Sequence, residues 1–499
     1  MKLRTVKEYE KMAKELEFST KAFINGEFVD SASGNTFETI NPSNGQVITK
    51  ITKCGEEDVD SAVEAAEKSF NSRVWAGIEA SERKEIMLKW ADLIEEHDEE
   101  LAIMETLDNG KPINDTVNGD VSDTISCIRF HAEAIDKLQD DITPSSDDGL
   151  NIVVREPIGV VAAIVPWNFP LLMAAWKIAP ALAAGNSVIV KPAKLTTLTL
   201  LKIAELAKEA GIPNGVFNVI PGSGSVVGDA LAIHEDVRLI TFTGSTKVGK
   251  GLLVKSGESN AKRVLLELGG KSPTIVMPDI KDLDDVAESI VESALFNMGQ
   301  NCTQNSRIYI HKDIKEDLTE LIVDKVNAHK VGNPFDPETT IGALIEEKHM
   351  EKVLNYIKIG KDEGGKVICG GKRTLEDTGG FFIEPTLFDN VDQDMTIARE
   401  EIFGPVFSLL EFEGLEEVIE KANDTKYGLQ ASVYTSDLDT ANKLARGIQA
   451  GVVSVNTYSE GSENVPFGGF KQSGFFGRDK SIWANRSYTE TKSICIDFD

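Results

Sequence analysis

The chain has 499 residues, too many for one simple core, and its 41% hydrophobic content with 41 glycines is that of a globular α/β protein. A formal net charge of −29 argues against nucleic acid or an anionic membrane surface as a partner. The five scattered cysteines include no CxxC pair and the six histidines show no ligand spacing, so neither a disulfide framework nor a metal site is expected. The N-terminus lacks the apolar run of a signal peptide and no apolar stretch reaches spanning length, which predicts a cytoplasmic protein with no membrane partner.

Residues 5–17 carry the pattern of a charged amphipathic helix, and 21–53 read as short strands with a hairpin at Ile24-Asn25-Gly26-Glu27. Residues 57–140 are rich in Ala and Glu, with apolar residues at three- and four-residue spacing, and are expected to be helical. A strand region begins at Ile152–Arg155. From 158 to 246 strands and helices alternate: a strand from Ile158 to Val165, a helix over 170–184, strand 187–190, a helix over 196–210, then strands 216–220 and 239–243. This rhythm with short loops predicts a doubly wound parallel sheet, whose ligands bind at the carboxyl ends of the strands. A second α/β unit is expected from about 268 to 466, with strands at 274–276 and 306–310. The last strand, 487–496, has no hairpin partner in sequence and is expected to join another element or another subunit.

Three segments carry candidate chemistry. Cys302, among Gln300, Asn301, Thr303 and Gln304, has polar company unlike that of a core strand, and a thiolate is a strong nucleophile. Glu267 stands between an apolar strand and Gly269-Gly270, where partial desolvation would raise its pKa and suit it to act as a base. Asn168, in Pro166-Trp167-Asn168-Phe169-Pro170, has a backbone held by prolines and is a candidate oxyanion donor. Phe242-Thr243-Gly244-Ser245 leads from a strand into a helix whose N-terminus could take phosphate; Gly222–Gly228 is a second, weaker glycine-rich loop; Lys191 and Lys194 end a strand within reach of ribose or phosphate. Singly, each has a plainer reading: a core cysteine, a salt-bridged glutamate, a rigid turn, solvated lysines.

In combination and in order, these motifs, with Glu400-Glu401-Ile402-Phe403-Gly404-Pro405 and Pro466-Phe467-Gly468-Gly469-Phe470-Lys471, resemble the NAD(P)-dependent aldehyde dehydrogenase superfamily over nearly the full length. The resemblance implies a Rossmann-like cofactor domain (1–134 and 154–267), an α/β catalytic domain (268–482) and a small β oligomerisation extension (135–153 and 483–499), assembled as a homodimer or homotetramer. It further implies that Cys302 attacks the aldehyde, Asn168 and the Cys302 N–H hold the oxyanion, and Glu267 activates water against the thioester. Lys177 and Asp479 would support proton transfer; many members carry Glu where Asp479 stands.

The cofactor would lie against Ile164, Val165, Pro166, Trp167, Lys191, Lys194, Gly224, Phe242, Thr243, Gly244, Ser245, Val248, Leu268, Glu401 and Phe403. NAD-using members often carry Glu where Lys194 stands, and an ammonium attracts a 2′-phosphate that a carboxylate repels, so NADP is expected to be accepted beside NAD. The substrate would meet Asp120, Asp123, Phe169, Trp176, Phe296, Tyr458, Glu460 and Phe467. Asp120 and Asp123, at i and i+3 of one helix face, are expected either to bind an amine at the entrance or to form a solvated acidic face. The stretches 134–137, 467–474 and 477–481 look closest to the γ-glutamyl-γ-aminobutyraldehyde and ω-aminoaldehyde branch, which implies a polar or cationic aldehyde. The alternatives are a CoA-acylating relative, against which Glu267 argues, and a non-catalytic protein of the same fold.

Overall fold

The computed structural model describes residues 3–498; Met1 and Lys2, in the expected first part, and Asp499, in the expected extension, lie outside them. The N-terminal helix is Val6–Glu15, and the hairpin Ala22–Ile24/Glu27–Val29 turns on Asn25 and Gly26, with φ of 53° and 78°. Positive φ at both turn residues is what a type I′ turn demands, and Asn-Gly adopts it at little cost.

The first sheet runs in the order 27–29, 22–24, 217–219, 187–191, 160–164, 239–243, 263–267, 474–475. The strands from Phe217–Val219 through Arg263–Glu267 are parallel. They read as continuous apolar runs because both faces are covered. The helices Pro170–Ala183 and Leu198–Ala210 belong to the apolar cluster on one face, and Glu56–Asn71 to the cluster on the other. The expected helical stretch 57–140 divides into Glu56–Asn71, Ala80–Glu96, Asp98–Asn109 and Ile113–Ala134, the last with a π-helical turn at Thr116–Asp120.

The second sheet, in the order 366–369, 386–389, 406–412, 305–311, 272–276, 430–434, 452–455, is parallel except at Lys366–Cys369 and carries its own apolar cluster. The strand Gly474–Phe475, far along the chain, returns to pair with Leu266 and Glu267 of the first sheet. A third sheet joins Thr489–Asp497 to Gly149–Pro157 and Asp141–Thr143, so the final strand finds its partner within this chain. No helix among the described residues is long and apolar enough to cross a membrane.

Trp90 ties the helical layer to the first sheet. It is fully buried, its ring lies 5.7 Å from that of Phe217, and its Nε1 donates to the Ile203 carbonyl at 3.0 Å. Trp90→Ala is expected to destabilise the fold by about 3–5 kcal/mol, read as a lowered urea midpoint by circular dichroism.

Candidate active site

The carboxyl ends of the first sheet's strands face the second sheet across a cavity of about 240 Å³. Its wall is built from Pro166, Trp167 and Asn168 after one strand, Thr243, Gly244 and Ser245 after the next, and Leu268 and Gly269 after a third. Cys302, Glu401, Phe403, His349 and Lys352 close it from the second sheet's side.

Cys302 is half-buried just before the strand Asn305–His311. Its approach is strained: Asn297 and Met298 have φ of 50° and 55°. Its Sγ donates to Asn301 Oδ1 at 3.8 Å. Burial, then the charges of Glu460, Glu401 and Glu267, push the thiol well above its ordinary range. The resting group is therefore a thiol, and attack requires its proton to leave.

Asn168 is buried, and its Nδ2 donates to the Gln300 carbonyl at 3.0 Å. An amide nitrogen has two hydrogens, so this bond orients the group and leaves a second donor. Two residues that sequence reading missed anchor the turn. Asn297 Nδ2 donates to the Asn168 carbonyl at 2.8 Å, and Asn109 Nδ2 to the Trp167 carbonyl at 2.6 Å.

Glu267 ends the strand Arg263–Glu267, buried, with Oε2 lacking a hydrogen-bond partner among the described residues. Burial first and the charge of Asp479 second raise its pKa well above the carboxylate range; Lys177 and Arg478 oppose them. It is not in the cavity wall. Its carboxylate packs against Gly468, where a Cβ would lie 2.7 Å from Oε1. Lys177 and Asp479 form a buried ion pair at 2.8 Å.

The cavity fits a dinucleotide on several observations. Ser245, in the cavity wall, caps the helix Thr246–Glu258, its Oγ accepting from Val248 N at 3.4 Å, which sets that helix's N-terminus, a favourable place for phosphate, beside the cavity. Thr243 Oγ1 is buried without a partner among the described residues. A Cβ at Gly269 would lie 2.2 Å from the Glu401 carboxylate, and Glu401 accepts from Gly270 N at 3.1 Å. Burial holds the Glu401 pKa up at about 6. Trp167 packs edge-on against His349 and Phe403, with ring centroids at 5.4 and 5.3 Å. Phe403 has a left-handed backbone, φ 64°, and its carbonyl accepts from His349 Nε2 at 2.7 Å. His349 and Lys352, both on the helix Glu347–Asp362, carried no local motif that would have marked them.

The other expected cofactor residues fall around this cavity unevenly. Ile164, Val165, Phe242 and Leu268 are buried at strand ends, and Val248 is exposed. Lys191 is buried, donates to the Pro192 carbonyl at 2.6 Å, and is brought down to about 8 by burial. Lys194 is exposed, with its ammonium 5.5 Å from the Phe37 ring. Gly224 is exposed and opens the helical turn Gly224–Gly228, with open space where a Cβ would be.

On the substrate side, Phe169 lies 5.6 Å from Phe296, and Trp176 lies 5.0 Å from Phe467. Tyr458 OH takes a hydrogen bond from Asn301 Nδ2 at 2.7 Å and shares one with Thr303 Oγ1 at 2.7 Å. Thr303 Oγ1 also donates to Glu460 Oε1, which ties Glu460 to the loop that carries Cys302. The expected pairing of Asp120 with Asp123 at the entrance needs correcting. Asp123 is exposed, but Asp120 is buried in an ion pair with Lys111, whose ammonium sits 4.0 Å from the Phe169 ring. Asp120 closes the π-helical turn, so it does not share an open face with Asp123.

Comparison with known proteins agrees with this architecture. The model of the aldehyde dehydrogenase family matches residues 28–494. The chain is 48% identical to aminoacetaldehyde dehydrogenase of Pseudomonas aeruginosa over 490 residues, 98% of each protein. Among solved structures, γ-glutamyl-γ-aminobutyraldehyde dehydrogenase of Burkholderia cenocepacia is 49% identical with a TM-score of 0.97, over 99% of this chain and all of that one. A mutant of the indole-3-acetaldehyde dehydrogenase AldA of P. syringae, in complex with NAD+ and IAA, is 48% identical with a TM-score of 0.98, over 99% of this chain and all of that one. The chain belongs to the aldehyde dehydrogenase family and is an oxidoreductase that oxidises aldehydes.

Two substitutions separate binding from folding here. Gly269→Ala must displace Glu401 and is expected to raise the KM for the dinucleotide at least about tenfold, with the melting temperature little changed. Asp120→Ala removes the direct ion-pair partner of buried Lys111, leaving only the charges of Glu105 and Asp115 to act on it, and is expected to cost about 3 kcal/mol of stability, read by urea denaturation.

Proposed function

We propose that this chain oxidises an amino or other polar aldehyde to its carboxylic acid, with Cys302 as acyl carrier and Glu267 as the base that releases it. The observation that supports this best is a half-buried thiol and an oriented amide in one cavity wall, with a buried carboxylate, one oxygen of it unpartnered, whose charge reaches the thiol from behind that wall. Cys302 Sγ bonds to the carbonyl carbon as the S–H bond breaks and its proton passes to water and on to solvent. The oxyanion of the thiohemiacetal takes the second N–H of Asn168 and the Cys302 backbone N–H. A nicotinamide dinucleotide bound in the cavity supplies the hydride acceptor, and what remains on Cys302 is a thioester. Glu267 takes a proton from water, whose oxygen displaces the sulfur and gives the acid. Lys177 and Asp479, whose charges act on Glu267, set its pKa, and the Asp479 carboxylate takes its proton onward.

Glu401 and Phe403 hold the nicotinamide ribose and ring, and the Thr243–Ser245 turn with the following helix N-terminus holds phosphate. NAD is the cofactor that the relative from P. syringae carries. Exposed Lys194, its ammonium over the Phe37 ring, can swing to a 2′-phosphate, so NADP is accepted as well. For the substrate, Glu460 and Asp123 supply carboxylates at the entrance, and the relatives from P. aeruginosa and B. cenocepacia are named for aminoaldehydes. The parts 1–134 with 154–267, 268–482, and 135–153 with 483–499 serve as cofactor, catalytic and oligomerisation domains. The third sheet presents Ile494, Ile496 and Phe498 to solvent on its outer strand and C-terminus, which suits a dimer or tetramer of this chain.

Assay of 3-aminopropanal and hexanal with both dinucleotides tests the reading. Cys302→Ala should abolish the rise at 340 nm. The kcat/KM with NADP should be within about tenfold of that with NAD, a gap of one factor of ten being about 1.4 kcal/mol; no turnover with NADP removes the role of Lys194. Asp123→Ala with Glu460→Gln should raise the KM for 3-aminopropanal far more than that for hexanal, and equal effects would refute the amine site. Because ionised Glu267 is the active form, kcat rises with pH through its raised pKa. Asp479→Asn removes the main charge that raises it, and the acid limb of the kcat profile should move to lower pH.

A further inference from the structure

Lys480 plays no part in the reaction described above, yet it is buried beside the substrate passage. It is 3% exposed and starts the helix Ser481–Ser487 from a left-handed backbone, with φ of 62° at Lys480 and 54° at Ser481. That conformation is unfavourable for side chains other than glycine and persists only where its surroundings hold it. They do so here from two elements. Lys480 Nζ donates to the Gly461 carbonyl at 2.5 Å, and Ser481 N donates to the Glu463 carbonyl at 2.7 Å. The ammonium also lies 5.3 Å from the centroid of the Trp176 ring, the aromatic that packs on Phe467 in the substrate pocket. Its neighbour Asp479 is already paired with Lys177, so Lys480 is not held there as the counter-ion of the proton-transfer pair.

Three carboxylates feel this charge. Asp123 comes from the helix Val121–Ala134, and Glu460 and Glu463 from the loop before Pro466; Lys480 draws the pKa of each down against burial. Asp123 in turn raises Glu460 and Glu463, so the three crowd one another. Cys127 faces the same cluster through a hydrogen bond with Glu463. An acidic entrance left to itself would be strongly cation-selective. Lys480 cancels part of that field from within.

We propose that Lys480 is a specificity-determining residue: a fixed ammonium beside Trp176 that offsets Asp123, Glu460 and Glu463 and sets how strongly the passage favours cationic over anionic aldehydes. This rests on the reading that the aldehyde passes Trp176 and Glu460. A substrate ammonium meets the carboxylates but is repelled by Lys480, whereas a substrate carboxylate gains a partner it would otherwise lack. The fold-change is modest, because two charges several ångströms apart in a partly solvated passage interact through a high effective dielectric.

The test uses Lys480→Met, which removes charge and keeps the stem, with 3-aminopropanal, hexanal and 4-oxobutanoate as probes at low ionic strength. The ratio of KM for 3-aminopropanal to KM for hexanal should fall about three- to tenfold, and the ratio for 4-oxobutanoate to hexanal should rise by a similar factor. Both shifts should shrink in high salt. Lys480→Arg keeps the charge and should keep the native ranking. Equal changes in all three KM values, or an altered ranking in Lys480→Arg, would overturn the proposal in favour of a packing role. The 4-oxobutanoate arm reads Lys480 even if the native enzyme shows no preference for aminoaldehydes, so failure of the amine site and failure of this inference are distinct results.

Discussion

The site depends on one short crossing. Only Leu268–Lys271 separates the end of the strand Arg263–Glu267 in the first sheet from Ser272–Val276 in the second. The carboxyl edge of one sheet is thereby pinned against the amino edge of the other. Two glycines make the approach possible: a Cβ at Gly269 would strike the Glu401 carboxylate, and one at Gly270 would lie 2.4 Å from the Cys302 carbonyl. Returning strand Gly474–Phe475 pairs with Leu266 and Glu267, and Ser473 closes the crossing from the other side by donating to the Gly269 carbonyl at 2.7 Å. Glu267, the loop that carries Cys302 and the Glu401 carboxylate are thus positioned by the same few backbone atoms.

Within that frame the electrostatics run against easy ionisation. Glu460, Glu401 and Glu267 all act to keep the Cys302 thiol protonated, and burial with Asp479 acts to keep Glu267 protonated. In the proposed reaction Cys302 must become an anion, and negative charge around it is then costly at rest. A cationic nicotinamide, or the ammonium of the proposed substrate, would turn that cost to advantage by neutralising part of the field. The protein holds smaller compensations of its own, in Lys177 against Asp479 and in Lys480 among the entrance carboxylates.

Local chemistry made much of the fold legible. Asn25-Gly26 announces its turn, and the buried parallel strands announce themselves as apolar runs ending at Pro166, Lys191 and Thr243. The residues that line the candidate site were legible because their motifs keep a fixed order. What the sequence hid is what depends on partners far away in the chain. Asp120 reads as an exposed helix position until a π-helical turn and Lys111 bury it. Asn297 matters only because its own strained backbone lets its amide reach the Asn168 carbonyl. Lys480, in a charged stretch, gives no sign that Gly461 and Trp176 enclose it.

The central claim is that the acyl group rides on Cys302 and leaves through Glu267. The most direct measurement is intact and peptide mass spectrometry of Glu267→Gln after brief exposure to hexanal and NAD+. The account predicts a hexanoyl adduct on the peptide containing Cys302, with one equivalent of NADH formed and slow release. An unmodified Cys302 peptide in the presence of NADH, or an adduct on another residue, would contradict it.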